Sequence, residues 1–381
     1  MANNSYDFSN NQRSIQTAFD LLVSSYPTLL SKIRRGAPAT STKEEWLEDS
    51  LSPQSTAIAS FDTGTTSTAT GINVTSTSGM QAGQLLRFTS TAGADRGEVV
   101  QIASVDSATD LTVVRAYGSS TAFSLVTGDY VYNLSKPSNE GSTATVTDST
   151  EPTTNYNYTQ IFDRTAKLTR TAQQINNYGN ANTMAYQLNK KMIEIMMEIN
   201  SQLIYGERVQ RSSSAQGTFG GLIAFTRNGN IDTTGSALSK TIINNMLEAI
   251  WSDGVMASNF LLVCAPNQAR KISAFNTAGT NPLVTVSPDS KVTGGYIQRF
   301  IGDLPSQNGF SADILVEPTF PKDKIALVDL NSIELAYLKD FTTTDATTPG
   351  ADFTAQRILG ELTVRIKNGT KAHALATGLT I

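Results

Sequence analysis

From Thr56 to Lys136 the chain runs in short apolar and alternating stretches set apart by Thr, Ser, Gly and Asp, and this block interrupts what otherwise reads as one extended arm. Before it lies Gly36 to Leu51; after it a second extended segment, Asn155 to Gln174, leads into the longest helical pattern of the sequence. Gly83 to Phe88, Glu98 to Val105, Leu111 to Tyr117 and Asp129 to Leu134 each alternate as strands do. Ala92–Gly97, Asp106–Asp110 and Gly118–Ser120 supply turn chemistry between them. These four strands predict a small all-β insertion, a sandwich or partial barrel. An enzyme core rarely tolerates such an order, whereas a subunit whose arms reach to neighbours does. Its basic residues are Arg87, Arg96, Arg115 and Lys136, too few for nucleic-acid binding through this face.

The flanking segments read as arms. In residues 1–35, Ile15, Phe19, Leu22 and Val23 space as a short amphipathic helix that Pro27 breaks, followed by the basic trio Lys32, Arg34 and Arg35. An arm packing on a neighbouring surface is the favoured reading, with nucleic-acid contact by the trio as the alternative. Gly36 and Pro38 stop regular structure. Trp46 and Leu47 then sit among Glu44, Glu45, Glu48 and Asp49, read as a solvated or partner-facing charge cluster because no calcium-loop spacing accompanies it. Ser138 to Thr154 is a linker. Ala166 to Ala172 alternates weakly, as an edge or arm strand with protective Lys and Arg does.

The long helix is predicted over 183–205, with Asn182 or Thr183 as N-cap and Gly206 as terminator. Met184, Leu188, Met192, Ile195, Ile199 and Leu203 form its apolar stripe, and the cluster Met192, Met196 and Met197 is read as core packing rather than a thioether site. Farther on come helices at Thr241–Trp251 and Pro266–Phe275, a buried strand at Phe260–Cys264, and strands at Gly295–Ile301, Ala312–Glu317, Lys324–Asp329 and Ser332–Leu338. Ala355–Lys367 and Ala372–Ala376 flank Asn368-Gly369, a hairpin signal.

Little chemistry can be built from these residues. With a single His, His373, read as a plain strand residue, and a single Cys, Cys264, inside an apolar run, neither a zinc site nor a nucleophile–histidine pair is assembled. Gly235 to Thr241 misses the phosphate loop because Ser239 stands where a glycine must precede the lysine. Asn228, Asn230 and Asp232 open like a calcium loop, but Thr233 and Ser239 replace its glycine and closing glutamate. No two of the 33 acidic residues single themselves out as a glycosidase pair. The reading assigns no catalytic, cofactor-binding or metal residue, and no cofactor. At 381 residues and 39% apolar the chain supports two or three compact units, and a net charge of −4 argues against wrapping nucleic acid. No secretory signal pattern and no apolar run of about 18 residues is present, so no membrane partner is expected.

Four passages together carry a family resemblance: Gly36-Ala37-Pro38-Ala39-Thr40 leading to Glu45-Trp46-Leu47-Glu48-Asp49; the helix Gln187–Glu207 with Leu203-Ile204-Tyr205-Gly206; Gly217-Thr218-Phe219-Gly220-Gly221-Leu222; and Leu359-Gly360-Glu361-Leu362-Thr363-Val364-Arg365 through Lys371-Ala372-His373-Ala374. In this order they resemble the major capsid proteins of tailed bacteriophages, of the Hong Kong 97-type fold, in the group similar to the major head protein of phage SU-ten. The resemblance implies an α+β fold: an N-terminal arm (1–35), an extended loop (36–55 and 137–178) carrying the β-rich insertion (56–136), a peripheral domain (179–235 and 331–381) with its spine helix, and an axial domain (236–330). It implies a non-enzymatic subunit that self-assembles into hexamers and pentamers of an icosahedral head around double-stranded DNA, touched weakly on the inner face. The implied location is the virion head, assembled in the host cytoplasm. A separate scaffolding protein and a portal are the expected partners, with a decoration protein as a further candidate. Covalent cross-linking gains no support, because Lys43 and Lys167 lie in the arm but no catalytic carboxylate can be assigned. The insertion would lie on the outer shell surface or over the joint between capsomers. Two other functions stay open at this point: a tail or fibre component, and a carbohydrate-binding module using Phe88, Tyr117, Tyr130 and Tyr132.

Overall fold

The computed structural model describes residues 27–302 and 311–381, apart from positions 50, 52, 62–66, 139, 142–150, 176–182, 227–229, 233–234, 256–259 and 276–298. The helix expected at Ile15–Val23 lies outside the described residues, as do Asn228 and Thr233. In chain order the strands are β1 (Arg34–Arg35), β2 (Lys43–Glu48), β3 (Ser55–Phe61), β4 (Gly71–Val74), β5 (Leu85–Thr89), β6 (Asp95–Val105), β7 (Asp110–Val114), β8 (Tyr130–Ser135), β9 (Thr153–Tyr158), β10 (Gln160–Thr169), β11 (Asn230–Asp232), β12 (Phe260–Cys264), β13 (Arg299–Ile301), β14 (Ser311–Val316), β15 (Ile325–Asp329), β16 (Ile333–Asp345), β17 (Phe353–Ile366) and β18 (Ala374–Thr377). The helices are α1 (Arg170–Gln174), α2 (Met184–Tyr205), α3 (Leu222–Thr226), α4 (Lys240–Ser252) and α5 (Pro266–Ala274). Asp49–Thr153 form one compact unit and the rest of the chain a second.

The larger unit is built on a mixed sheet in the order β11-β18-β15-β12-β14-β13 and a smaller sheet β1-β16-β17-β10. Strands β12 and β15 are buried at every position, and apolar apart from Asp329 at the end of β15, because both faces of their sheet are covered. Leu261, Val263, Ala326 and Val328 point into a core shared with α2 and β17, while Phe260, Leu262, Cys264, Ile325 and Leu327 point into a second core under α4. Pro at the first turn of α5 and Ser239 capping α4 start those helices, the Ser239 hydroxyl accepting from Ile242 N at 3.3 Å.

Helix α2 has Thr183 as its N-cap and runs 22 residues, about 33 Å at 1.5 Å per residue. Ile195, Ile199, Leu203 and Ile204 face the core. Of the methionine cluster only Met192 packs there; Met196 is exposed, and Met197 lines a surface groove, which corrects the core reading for those two.

Three expectations about connectivity are overturned. Asn368-Gly369 does not close a hairpin: β17 pairs with β16 and β10, whereas β18 pairs with β15 and β11 in the other sheet. Asn368, at φ 51°, turns the chain from one sheet to the next. Nor does 137–178 remain an arm throughout, since β10 pairs with β17 over its whole length and its Phe162 and Ala166 are buried. His373 sits just before β18 rather than within a strand, fully enclosed.

Of the sandwich and partial barrel expected from four strands, the smaller unit is nearer the second, a closed barrel of six strands in the order β3-β4-β7-β6-β5-β8. Strands β3 and β4 complete it, and closure leaves no free edge to pair indiscriminately. Every second residue turns inward: Ile72 and Val74, Leu86 and Phe88, Val100 and Ile102, Leu111 and Val113. Two buried carboxylates are matched by arginines. Arg115 makes two 2.7 Å bonds to Glu98, and Arg96 reaches Asp129 at 2.9 and 3.1 Å. Burial pushes the Glu98 carboxyl up, but Arg115 and the N–H groups of Phe123 and Ala116 outweigh it and hold the group below its ordinary value.

Candidate assembly surfaces

The root of the N-terminal arm is stitched to β16 and β17. β1 runs parallel to β16, Gly36 N donates to Leu335 O at 2.8 Å and Ala39 N to Tyr337 O at 3.0 Å. A Cβ on Gly36 would lie 2.7 Å from Glu334 Oε2 and 3.0 Å from its Cβ, so a larger residue there would push the Glu334 carboxylate aside. Glu334 collects Arg34 at 2.5 Å, Lys367 at 3.3 Å and Arg365 at 3.7 Å. Burial raises its carboxyl, yet Lys367 and Arg34 prevail and keep it lowered. Arg35 pairs with Asp340 at 2.6 Å and stacks over Tyr337. Arg34 and Arg35 thus have carboxylate partners within the chain, although both side chains stay more than half exposed.

The acidic patch divides in the same way. Glu44 is buried and accepts from Arg365 at 2.6 and 2.9 Å; Glu48 accepts from Trp46 Nε1 and Asn368 N, both at 2.7 Å. Glu45, paired with Lys43, and Asp49 keep to the surface. Alternation along β2 explains this: Glu44 and Trp46 turn inward, while Lys43, Glu45 and Leu47 turn out. Leu47 is 71% exposed, a large apolar side chain left open on an arm strand.

The glycine-bearing motifs have steric causes. A Cβ on Gly206 would meet Phe219 O at 2.4 Å and Gln202 O at 2.5 Å; one on Gly221 would meet Gln202 O at 2.5 Å and Leu203 O at 2.6 Å. The loop over 217–221 therefore crosses the end of α2 in backbone contact, and Gly206 N donating to Gln202 O at 2.7 Å closes the helix. Asn157, fully buried, secures the crossing by accepting from Gly220 N at 2.8 Å and donating to Val364 O at 2.8 Å. Gly360 makes room for the Phe341 ring, whose carbon would lie 2.4 Å from a Cβ. Glu361 accepts from Thr159 Oγ1 at 2.6 Å and Arg211 at 2.8 Å.

An open groove of about 1030 Å³ runs between α2 and β10, lined by Ile161, Arg164, Met197, Glu198, Gln202 and Tyr205, with Arg164 paired to Glu198. β10 is the edge of its sheet among the described residues. Such a lining of paired charges and half-exposed apolar groups suits contact with a partner rather than bond-making chemistry. Among the described residues no three His, Cys, Asp or Glu side chains converge to hold a metal ion, and burial pushes the Cys264 thiol up to about 12, which leaves it unreactive. Phe88, offered as a sugar-stacking aromatic, is instead wholly inside the barrel, while Tyr117, Tyr130 and Tyr132 are exposed.

The model of the SU10 major capsid protein family matches residues 2–380. The chain belongs to this family. It is a major capsid protein of the tailed-phage type, a structural component of the virion head rather than an enzyme, and it associates with copies of itself in a shell. No curated protein matches it by sequence. Among solved structures it is similar to the capsid of a native GTA particle, at 10% identity and TM-score 0.55, covering 99% of this chain and 98% of that one. It is also similar to the cyanophage A-1(L) capsid, at 11% identity and TM-score 0.52, covering 99% of each. At that identity the likeness is one of fold: this mixed α and β chain shares the architecture of capsid subunits.

Sequence reasoning had the motifs but not their partners. Glu334, Asn157 and Glu317 stood in predicted strands or arms with nothing to mark them, and Arg365 stood in a motif with no sign of its partner Glu44, because each is completed by residues far away in the chain.

Proposed function

We propose that this subunit forms hexameric and pentameric capsomers that close an icosahedral head around double-stranded DNA. The observation that carries this reading is the family match over residues 2–380, with an arm root, a long helix and two cores in the larger unit. The sheet under α4 would act as the axial domain, and α2 with β16 and β17 as the peripheral one. The extended loop would consist of the segments flanking the barrel, about 36–55 and 137–152, because β10 belongs to the body. The barrel would then be an insertion at the end of that loop, on the outer surface or over the joint between capsomers. A separate scaffolding protein and a portal would guide assembly in the host cytoplasm, a decoration protein would be a further partner, and DNA would touch the inner face weakly. Expression of the chain, alone and with a candidate scaffolding protein, followed by electron microscopy of the product tests this: closed particles with six- and five-fold capsomers support it, and an elongated trimer without a shell refutes it.

A second reading concerns the barrel alone. Tyr130 and Tyr132 are two residues apart on β8, 40% and 42% exposed, and so share its outer face. Glycan binding there would show as a positive on a glycan array probed with the barrel, lost in Tyr132→Ala; silence of the array removes it.

A further inference from the structure

Glu317 is fully buried and, among the described residues, forms no ion pair with any Lys, Arg or His. Its carboxylate is satisfied by neutral donors. Oε2 accepts from Thr28 Oγ1 at 2.5 Å and Leu29 N at 3.4 Å, and Oε1 from Thr319 Oγ1 at 2.7 Å and Thr319 N at 3.4 Å. Asn200 of α2 also bears on it, and Asn200 Oδ1 accepts from Leu30 N at 3.0 Å. One charged group therefore gathers the first described residues of the arm, the middle of the long helix and the loop after β14. Such an arrangement is costly without full satisfaction, because a buried carboxylate that loses a donor pays its desolvation in full. A packed Leu or Met at 317 would fill the site with no such demand. What the carboxylate adds is dependence of the arm's seat on one side chain: Thr28 and Leu29 are bound to it, while Ser31 and Lys32 are exposed.

We propose that Glu317 is a latch that holds the root of the N-terminal arm against α2, so that residues 28–33, with their plugs Leu29 and Ile33, can be released as a strap while the rest of both cores of the larger unit stays folded. Leu29 and Ile33 then act as apolar plugs that follow the latch instead of replacing it. Hydrogen–deuterium exchange on the full chain tests this. Glu317→Gln keeps the shape but removes the charge that strengthens every bond the group accepts, and turns one of its two acceptor atoms into a donor. It should lower protection of the Leu29–Ile33 amides by about tenfold, with Ile195–Leu203 and β17 unchanged. Thr28→Val, which removes only the arm's hydroxyl, should move the same amides in the same direction by less and provides the result if the first variant does not fold. Unchanged protection at 29–33 in either variant overturns the latch. So does an equal loss spread over α2 and β17, which would make Glu317 an ordinary core residue.

Discussion

At the scale of single residues, the structure turns on a few positions where size or charge leaves no alternative. Gly221 is one: an added methyl group would press on two carbonyl oxygens of α2 that cannot move without opening the helix end. Gly221→Ala is expected to destabilise the larger unit by roughly 2 kcal/mol or more, read as a lowered midpoint in denaturant with the barrel's own transition unmoved. His373 is another. Its Nδ1 accepts from Asp329 N at 3.1 Å, Nε2 makes no regular hydrogen bond, and burial, only partly offset by Asp329 and the Lys367 backbone, lowers its pKa to about 4. The unfolded chain binds the proton near pH 6.5 and the folded one only near 4, so stability is full above 6.5 and is lost as the pH falls through that window. The loss amounts to about 1.4 kcal/mol per pH unit, about 3 kcal/mol in all. Comparing denaturation of the parent and His373→Gln from pH 7 to 4 should show the parent losing more; parallel curves would refute a buried neutral imidazole.

At the scale of elements, strong local periodicity was legible and long-range pairing was not. The stripe Ile195, Ile199, Leu203 announced α2, and the unbroken run Phe260–Cys264 announced a strand covered on both faces. β3 escaped notice because Ser55, Ala57, Ala59 and Ser60 give its outer side little contrast, and β4 because four residues are too few to show a period. The Asn368-Gly369 turn was visible, but nothing nearby says that β18 continues into a different sheet, since its partners Ile325–Leu327 lie some 50 residues back. The bonds between Thr28 and Glu317 span 289 positions, and no pattern of spacing reaches that far. Within the barrel, Glu98 and Arg115 depend on each other at 0% and 8% side-chain exposure. Arg115→Met should leave Glu98 charged and enclosed, costing about 3–5 kcal/mol. Loss of the barrel's near-ultraviolet signal at a lower temperature, with α2's helical signal retained, is the expected result; a single joint transition shifted for both would show that the barrel does not unfold as its own unit.

At the scale of the whole molecule, the Thr- and Ser-rich block over 56–136 is a closed barrel with its own core, in a unit entered after Glu48 and left before Thr154. A unit that completes itself can be carried by a subunit without being part of its support. Replacing 56–136 by a short Gly-Ser bridge should therefore leave the cores of the larger unit folded, with circular dichroism matching the parent after the barrel's share is subtracted; collapse of α2's signal would contradict this. The central claim is that the chain closes shells. Cryo-electron microscopy of particles purified from cells producing this chain with its scaffold tests it most directly. Closed icosahedral shells are expected, with density that fits α2 and the two sheets in every capsomer, six- and five-fold. Only monomers, or open elongated trimers, under all assembly conditions would contradict it.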